Sequence, residues 1–519
     1  MIPSPSSSPR PIFHNRTNFN EASRPPAKHQ QKLSFALPTP PKCTGLKRSM
    51  QEPSCPRNRK RTKPLEDEED ICEEGGLANV PFRRERIRGT THSHGYLAIR
   101  TGNRPHDVST RHILESFVSY NKRDVYKCQS AGIDYHLTPP YSCSYSHASR
   151  RGESSLLAVS TEQGTIHIIN TTKRDPWDPE PLRTTIQAHN NGVFDVKWDE
   201  SDTRLATASA DQSTRILCLS TNTVLHSLRG HTSTVKSISW DPSNPDLLST
   251  GGKDGSICFW DLRVGEGRID GESLAPILSI HGAHEERAPL EASKRRKSTP
   301  STKTITSLIY SDTSPHNLIS SGSYNGVLRC WDIRSLTDSK KKIPKYKLQQ
   351  PLFASSEDPT SFHGSRRPRG IIGLVRGLGP TAGLLFGLGA DSRVHTYTRS
   401  SLSPMSSSYA HGRMQTNSFY IGLAMSPCGR WLSSGSTGRG SVFLYDVHNA
   451  WRPFAAEEKG VELQGQQGDV GGVAWCSDGL ATCADDGTVR VWRPDVDAYH
   501  RCLERPDEER WHWSWSVKS

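Results

Sequence analysis

Beyond about residue 130, apolar residues alternate with small or polar ones in short runs, as in Ser256-Ile257-Cys258-Phe259-Trp260 and Gly326-Val327-Leu328-Arg329-Cys330-Trp331. A period of two puts successive side chains on opposite faces, which is strand geometry rather than helix geometry. Turn residues such as Asp254-Gly255 and Asn325-Gly326 precede these runs. The pattern also repeats. Pairing a turn residue with the residue six further on gives Gln163/Ile169, Asp211/Leu217, Asp254/Trp260, Asn325/Trp331, Asp391/Tyr397, Arg439/Tyr445 and Asp486/Trp492. Successive anchors are 48, 43, 71, 66, 48 and 47 residues apart. Four of these spacings fall near the period of a four-stranded propeller blade, and the other two carry extra chain.

Such a repeat predicts an all-β fold, a seven-bladed WD40 β-propeller over residues 131–495. A four-stranded blade leaves both faces uncovered, and radial stacking buries them while leaving only short edges. Composition agrees: 41 Gly, 35 Pro and 12 Trp with 33% hydrophobic residues suit many short strands and turns. His231, Asp254 and Trp260 are read as members of a hydrogen-bonded set that ties one blade together, structural rather than catalytic. Unit two has Leu217-Cys218 where Trp-Asp would stand, and unit six has Tyr445-Asp446. The position needs an apolar filler more than it needs Trp.

The two long spacings place insertions near 264–303 and 335–372, both polar and basic, with Lys294-Arg295-Arg296-Lys297 in the first and Lys340-Lys341-Lys342 in the second. They are read as loops emerging between blades. Residues 93–130 are read as an ordered lead-in or ring-closing segment, in which Ile113–Val118 suits either a short helix or the closing strand. Residues 496–519 form a short C-terminal tail whose alternation, Trp511-His512-Trp513-Ser514-Trp515-Ser516-Val517, is strand-like and favours packing back on the ring.

Charge is uneven. Residues 1–64 hold 13 Lys and Arg against Glu21 and Glu52, and 12 of the 35 prolines; the other 455 residues carry 53 basic and 52 acidic side chains. This head lacks apolar periodicity and cannot offset the entropy of ordering, so residues 1–92 are read as a disordered tail. Lys47-Arg48 followed by Arg57, Arg59, Lys60 and Arg61 has the form of a two-part nuclear-import signal, which predicts nuclear localisation. The same charge allows non-specific contact with DNA through the tail.

Catalytic patterns are missing. There is no phosphate-binding loop with a following Lys-Ser/Thr, no His-Glu-x-x-His and no Gly-x-Ser-x-Gly. The twelve cysteines include no Cys-x-x-Cys pair and read as reduced thiols, not as a disulfide framework or zinc site. No apolar run is long enough for a membrane span. The expectation is a binding protein: no enzyme, no cofactor, no metal, no small-molecule substrate, no membrane.

Two tetrapeptides narrow the class, Trp260-Asp261-Leu262-Arg263 and Trp331-Asp332-Ile333-Arg334. Around them run Pro139-Pro140-Tyr141-Ser142-Cys143, Leu157–Gly164, Ala188–Val196, Ala206–Gln212, Gly230-His231, Leu248–Gly255 and Gly282-Ala283-His284, followed by the long basic insertion. This series resembles the Denticleless family, WD40 substrate receptors of the cullin-4 RING ubiquitin ligase, over roughly 131–495. The resemblance implies that Trp260, Asp261, Arg263, Trp331, Asp332 and Arg334 meet the ligase's damage-specific DNA-binding adaptor, with the two arginines as key contacts. It also implies substrates associated with the sliding clamp on chromatin, ubiquitinated in cell-cycle and DNA-damage control. Animal members carry a long tail after the propeller with a clamp-binding motif. Here 27 residues follow Trp492, and only Gln30-Gln31-Lys32-Leu33-Ser34-Phe35 partly echoes such a motif. The competing expectation is a WD40 scaffold outside any ligase, in chromatin or ribosome assembly, that uses its basic tail on nucleic acid.

Overall fold

The computed structural model describes residues 109–517 apart from 132–135, 176, 265–267, 270–272, 286–302, 312–313, 335–348, 363, 365–366 and 453–459. Its strands form seven sheets, antiparallel throughout their four-stranded blades, arranged as the blades of one propeller. The inner strands, in blade order, are Pro140–Tyr145, Val193–Trp198, Val235–Trp240, Ile305–Tyr310, Ile371–Arg376, Leu423–Met425 and Val470–Trp475. Each touches the next, and the seventh touches the first. The predicted seven-bladed all-β propeller is what the chain forms.

Blade three illustrates the build. Its second strand (Leu247–Gly252) pairs with the third (Ile257–Asp261) in the register Leu248↔Trp260 and Thr250↔Cys258. Trp260, Cys258, Leu248 and Ile238 then pack with Ala206, Ile216 and Leu228 of blade two. The core is therefore a set of interblade layers: each face of a sheet is covered by its neighbour, as the strand alternation requires.

Six blades share a local irregularity. The pairing of first and second strands slips by one residue at the start of the inner strand, leaving Tyr141, Phe194, Lys236, Thr306, Ile372 and Gly471 as the extra residues of β-bulges. A bulge bends its strand and re-aims the extra side chain. All six lie at one mouth of the central channel. At the opposite mouth the ends of the inner strands, including Tyr145, Trp198, Trp240, Tyr310 and Arg376, line a cavity of about 650 Å³.

The ring closes through residues distant in sequence. A helix (Arg111–Glu115) leads into Phe117–Tyr120, which pairs with the third strand of blade seven (Thr488–Pro494) in the register Phe117↔Pro494 and Val118↔Arg493. After a turn, Val125–Lys127 continues along the same strand with Tyr126 opposite Val489. The lead-in is both a helix and the closing strand. The last segment also packs back: a helix (Val496–Glu504), capped by the Asp495 carboxylate on the Ala498 amide, sets Ala498 and Tyr499 against Val118. Trp513–Ser514 then pairs with Ser119–Tyr120, and Ser516–Val517 pairs with Glu462–Leu463 of blade six.

The reading of 264–303 and 335–372 as loops needs correction. The first contains the outer strand of blade three (Leu278–Ile280) and a hairpin, Arg268–Ile269 with Ser273–Leu274, that extends blade two. The second contains the outer strand of blade four (Phe353–Ala354) and the first two residues of the inner strand of blade five. Outer strands need apolar residues on few positions, so their alternation is short and disappears into polar surroundings. The basic clusters 294–297 and 340–342 lie outside the described residues, as do residues 1–92 with the import signal Lys47, Arg48, Arg57, Arg59, Lys60 and Arg61.

Candidate functional site

Each Trp-Asp-x-Arg element ends the third strand of its blade, at the rim that surrounds the 650 Å³ cavity. The two tryptophans do not reach a partner's surface. Trp260 and Trp331 are each 1% exposed, and their indole N–H groups donate to Thr250 Oγ1 (2.8 Å) and Ser320 Oγ (2.9 Å). Their expected place in a docking surface is corrected here: they anchor the strand from inside, and the exposed part of each element is the Asp-Arg end.

That end is organised the same way in both blades. The Arg263 amide donates to Asp261 Oδ1 at 3.0 Å, and the Arg334 amide to Asp332 Oδ1 at 3.0 Å. Each side chain then folds back onto its own aspartate. Arg263 makes a two-pronged contact, Nε to Oδ1 at 2.9 Å and Nη2 to Oδ2 at 2.8 Å. Arg334 approaches Asp332 through Nε at 3.5 Å. The hydrogen bond from Arg263 holds the Asp261 carboxyl below the ordinary carboxylate range. The arginine side chains stay 58% and 66% exposed, against 13% and 20% for those of the aspartates. The arrangement gives two adjacent blades an exposed, always-charged hydrogen-bond donor at one rim, held by a two-pronged contact in the case of Arg263.

The sequence did not mark the polar network beside them. Arg204 of blade two bonds Asp199 (3.1 Å) and crosses to Asp246 of blade three (3.1 Å), while its guanidinium lies 5.4 Å from the centre of the Trp240 ring. Leu262, between Asp261 and Arg263, donates its amide to the Asp246 carbonyl. Such a network is visible only once neighbouring blades are side by side.

His231 and Asp254 take their expected structural places. Asp254 accepts from His231 Nδ1 at 3.1 Å and from the Thr232 and Ser256 amides; His231 Nε2 lies 2.8 Å from the Thr250 hydroxyl that receives Trp260. Burial by itself would push the imidazole's pKa down, but Asp254, with Cys258, outweighs it and carries it to about 9. Blade four repeats the chain without the carboxylate. His284 Nε2 meets Ser320 Oγ at 2.9 Å, its Nδ1 has no partner among the described residues, and burial with the nearby Arg329 and Lys303 charges lowers its pKa to about 3. In blade seven Gln466 takes the histidine's place, with Thr482 donating to its carbonyl oxygen and Trp492 donating to Thr482.

Among the described residues, no group of three or more His, Cys, Asp or Glu is placed to hold a metal ion, and no helix is long and apolar enough to cross a membrane.

The WD domain, G-beta repeat model matches residues 180–216, 222–261, 294–332 and 458–493. These are blades two, three, four and seven; one residue before the end of the third strand the three other blades carry Ile169, Tyr397 and Tyr445, and blade two carries Leu217. Over 365 residues the chain is 31% identical to Denticleless protein homolog A of Xenopus laevis, covering 68% of this chain and 48% of that one. It is 31% identical over 385 residues to the Denticleless protein homolog of Danio rerio, covering 71% and 55%, and 26% identical over 383 residues to that of Homo sapiens, covering 70% and 49%. The chain belongs to the Denticleless family. It spans about half the length of the curated relatives it matches. Within a Denticleless propeller, then, the two Asp-Arg pairs stand on adjacent blades, at the mouth opposite the bulges.

Proposed function

We propose that this Denticleless protein is a nuclear substrate-recognition subunit of a cullin-4 RING ubiquitin ligase. It carries no chemistry of its own; it holds clamp-associated substrates near the ubiquitin-loaded partner and so raises their local concentration. The observation that carries this reading is the duplicated Asp-Arg geometry on adjacent blades. A docking face built this way offers the ligase's damage-specific DNA-binding adaptor two exposed guanidinium groups on amide-fixed Asp-Arg ends, that of Arg263 already held by its aspartate. Preorganisation of this kind reduces the ordering cost of binding, and arginine is enriched among residues that dominate interface energetics.

The test is adaptor co-purification with the full chain and with an Arg263→Ala, Arg334→Ala double variant, after both give the same melting temperature. The wild type is expected to capture the adaptor and the double variant to lose it. Failure of the wild type to capture it refutes the receptor reading. A WD40 scaffold that meets nucleic acid through residues 1–64 then takes its place, recognised by steeply salt-dependent DNA binding that deletion of 1–64 abolishes.

A further inference from the structure

The mouth of the channel opposite the arginines is built from the bulge residues, and its side chains meet across the ring axis. Tyr141 of blade one stacks on Phe194 of blade two (centroids 5.2 Å, 3° between planes). From the far side, Phe419 and Tyr420, which precede the inner strand of blade six, reach over. Phe419 lies 5.2 Å from Phe194, and Tyr420 lies 5.2 Å from Tyr141. Gly471 makes this crossing feasible, since a Cβ there would stand 2.6 Å from the Tyr420 ring. The Tyr420 hydroxyl donates to Asp469 (3.2 Å) and Asp485 (3.1 Å), which fixes the crossing segment. The result is a continuous aromatic surface. Phe419 is 55% exposed, and Tyr141, Phe194 and Tyr420 are each half-buried.

Within this surface sits a cation with no direct ion pair among the described residues. Lys236, the bulge residue of blade three, is 8% exposed, with Nζ 4.8 Å from the centre of the Phe419 ring and 5.5 Å from that of Phe194. Among the described residues no carboxylate lies within ion-pair distance of it. Asp195 is the acid whose charge it feels, but that carboxylate accepts from the Ile238 amide at 2.9 Å and lies 3.3 Å from Lys197 Nζ. A buried ammonium supported mainly by two ring faces is under-compensated. Partial desolvation makes any arriving anion interact with it more strongly than it would in water.

We propose that this mouth is a peptide-docking site in which Lys236 pairs with an Asp or Glu side chain of an extended segment of a bound protein, while apolar residues beside that acid pack on Phe419, Phe194 and Tyr141. That the bound protein is a ligase substrate rests on the receptor reading above; the docking chemistry does not. The site favours a carboxylate over a phosphate. Among the described residues, the cation lying over its rings is the single Lys236 ammonium, and Asp469 and Asp485 flank it through Tyr420, so a dianion would be poorly neutralised. Its position also fits two simultaneous tasks: the arginine rim is engaged at one end of the channel, and the aromatic mouth stays open at the other.

The experiment selects a random peptide library displayed on phage against the full chain. Selected peptides are then measured by fluorescence anisotropy against wild type, Lys236→Met, Lys236→Arg and Phe419→Ala, each checked by its melting temperature. The proposal expects peptides with an acidic residue beside Phe, Tyr or Leu. Lys236→Met, or Asn/Gln in place of the peptide's acid, should weaken binding about tenfold or more, and the two losses should not add, as expected for a direct pair. Lys236→Arg should retain part of the affinity, which keeps the test decisive if the Met variant fails to fold. Basic or uncharged peptides, equal binding to Lys236→Met, tighter binding of a phosphoserine version, or no binders at all would each overturn the proposal. Adaptor capture is measured on the same variants. Capture kept while peptide binding is lost separates this site from the arginine rim, whereas peptide binding without capture in wild type would refute the receptor reading and leave this one standing.

Discussion

Replacing Asp254 with Asn should cost stability in a way that depends on pH, and the structure sets the size of the effect. Asn keeps the shape and an acceptor for His231 Nδ1, 3.1 Å away in the wild type, but removes the charge that carries the imidazole's pKa from its ordinary 6.5 to about 9. At roughly 1.4 kcal/mol for each tenfold change in proton affinity, that difference corresponds to about 3–4 kcal/mol of folding free energy. The folded-state value is raised, so this stabilisation is complete below pH 6.5 and is lost as pH rises through about 9. Urea unfolding followed by tryptophan fluorescence, for wild type and Asp254→Asn at about pH 6 and about pH 9.5, measures it directly. The gap between the proteins should be about 3 kcal/mol wider at the lower pH. An equal gap at both values would mean that His231 is neutral in the folded ring and would refute the ion-pair account of this blade.

Other outcomes follow from neighbouring features. His284, whose pKa burial lowers to about 3, is neutral in the folded ring, so its contribution is present above pH 6.5 and is lost as pH falls towards 3. His284→Gln should therefore flatten the fall in melting temperature between about pH 7 and pH 4. Gly471→Ala places a Cβ against the Tyr420 ring and should destabilise by about 1–3 kcal/mol, with a changed near-ultraviolet circular dichroism spectrum as the aromatic surface shifts. Val118→Asp puts an unpaired carboxylate between the closing strand and Ala498 and Tyr499; it should cost about 3 kcal/mol or more and lower the melting temperature of the whole ring. By contrast, Arg263→Ala and Arg334→Ala should leave the melting temperature nearly unchanged, because both side chains are mostly exposed.

The blades were legible because strand alternation and the six-residue offset are local. The third strands carry large buried residues, Trp260, Trp331, Tyr397, Tyr445 and Trp492, whose spacing is easy to follow. Outer strands were not legible, since Leu278–Ile280 and Phe353–Ala354 are too short for a period to show. The Asp-Arg rim was visible as a motif, but the motif did not separate its buried anchor, Trp, from its exposed end. The aromatic mouth was invisible for another reason. Tyr141, Phe194, Lys236, Phe419 and Tyr420 are scattered along the chain, and the bulges that aim the first three are pairing slips with no residue signature of their own.

Closure of the seventh blade also imposes a schedule on biosynthesis. Ser119 and its hydrogen-bond partner Arg490 are 371 positions apart, and at about 5–20 residues per second a ribosome needs roughly 20–75 seconds to span that interval. Throughout it the strand Phe117–Tyr120 has been made but its partner has not, and neither has Trp513–Ser514, which later covers its other edge. A nascent chain in this state carries an open strand edge while six blades accumulate behind it, and it is the form of the protein most exposed to strand exchange with another copy.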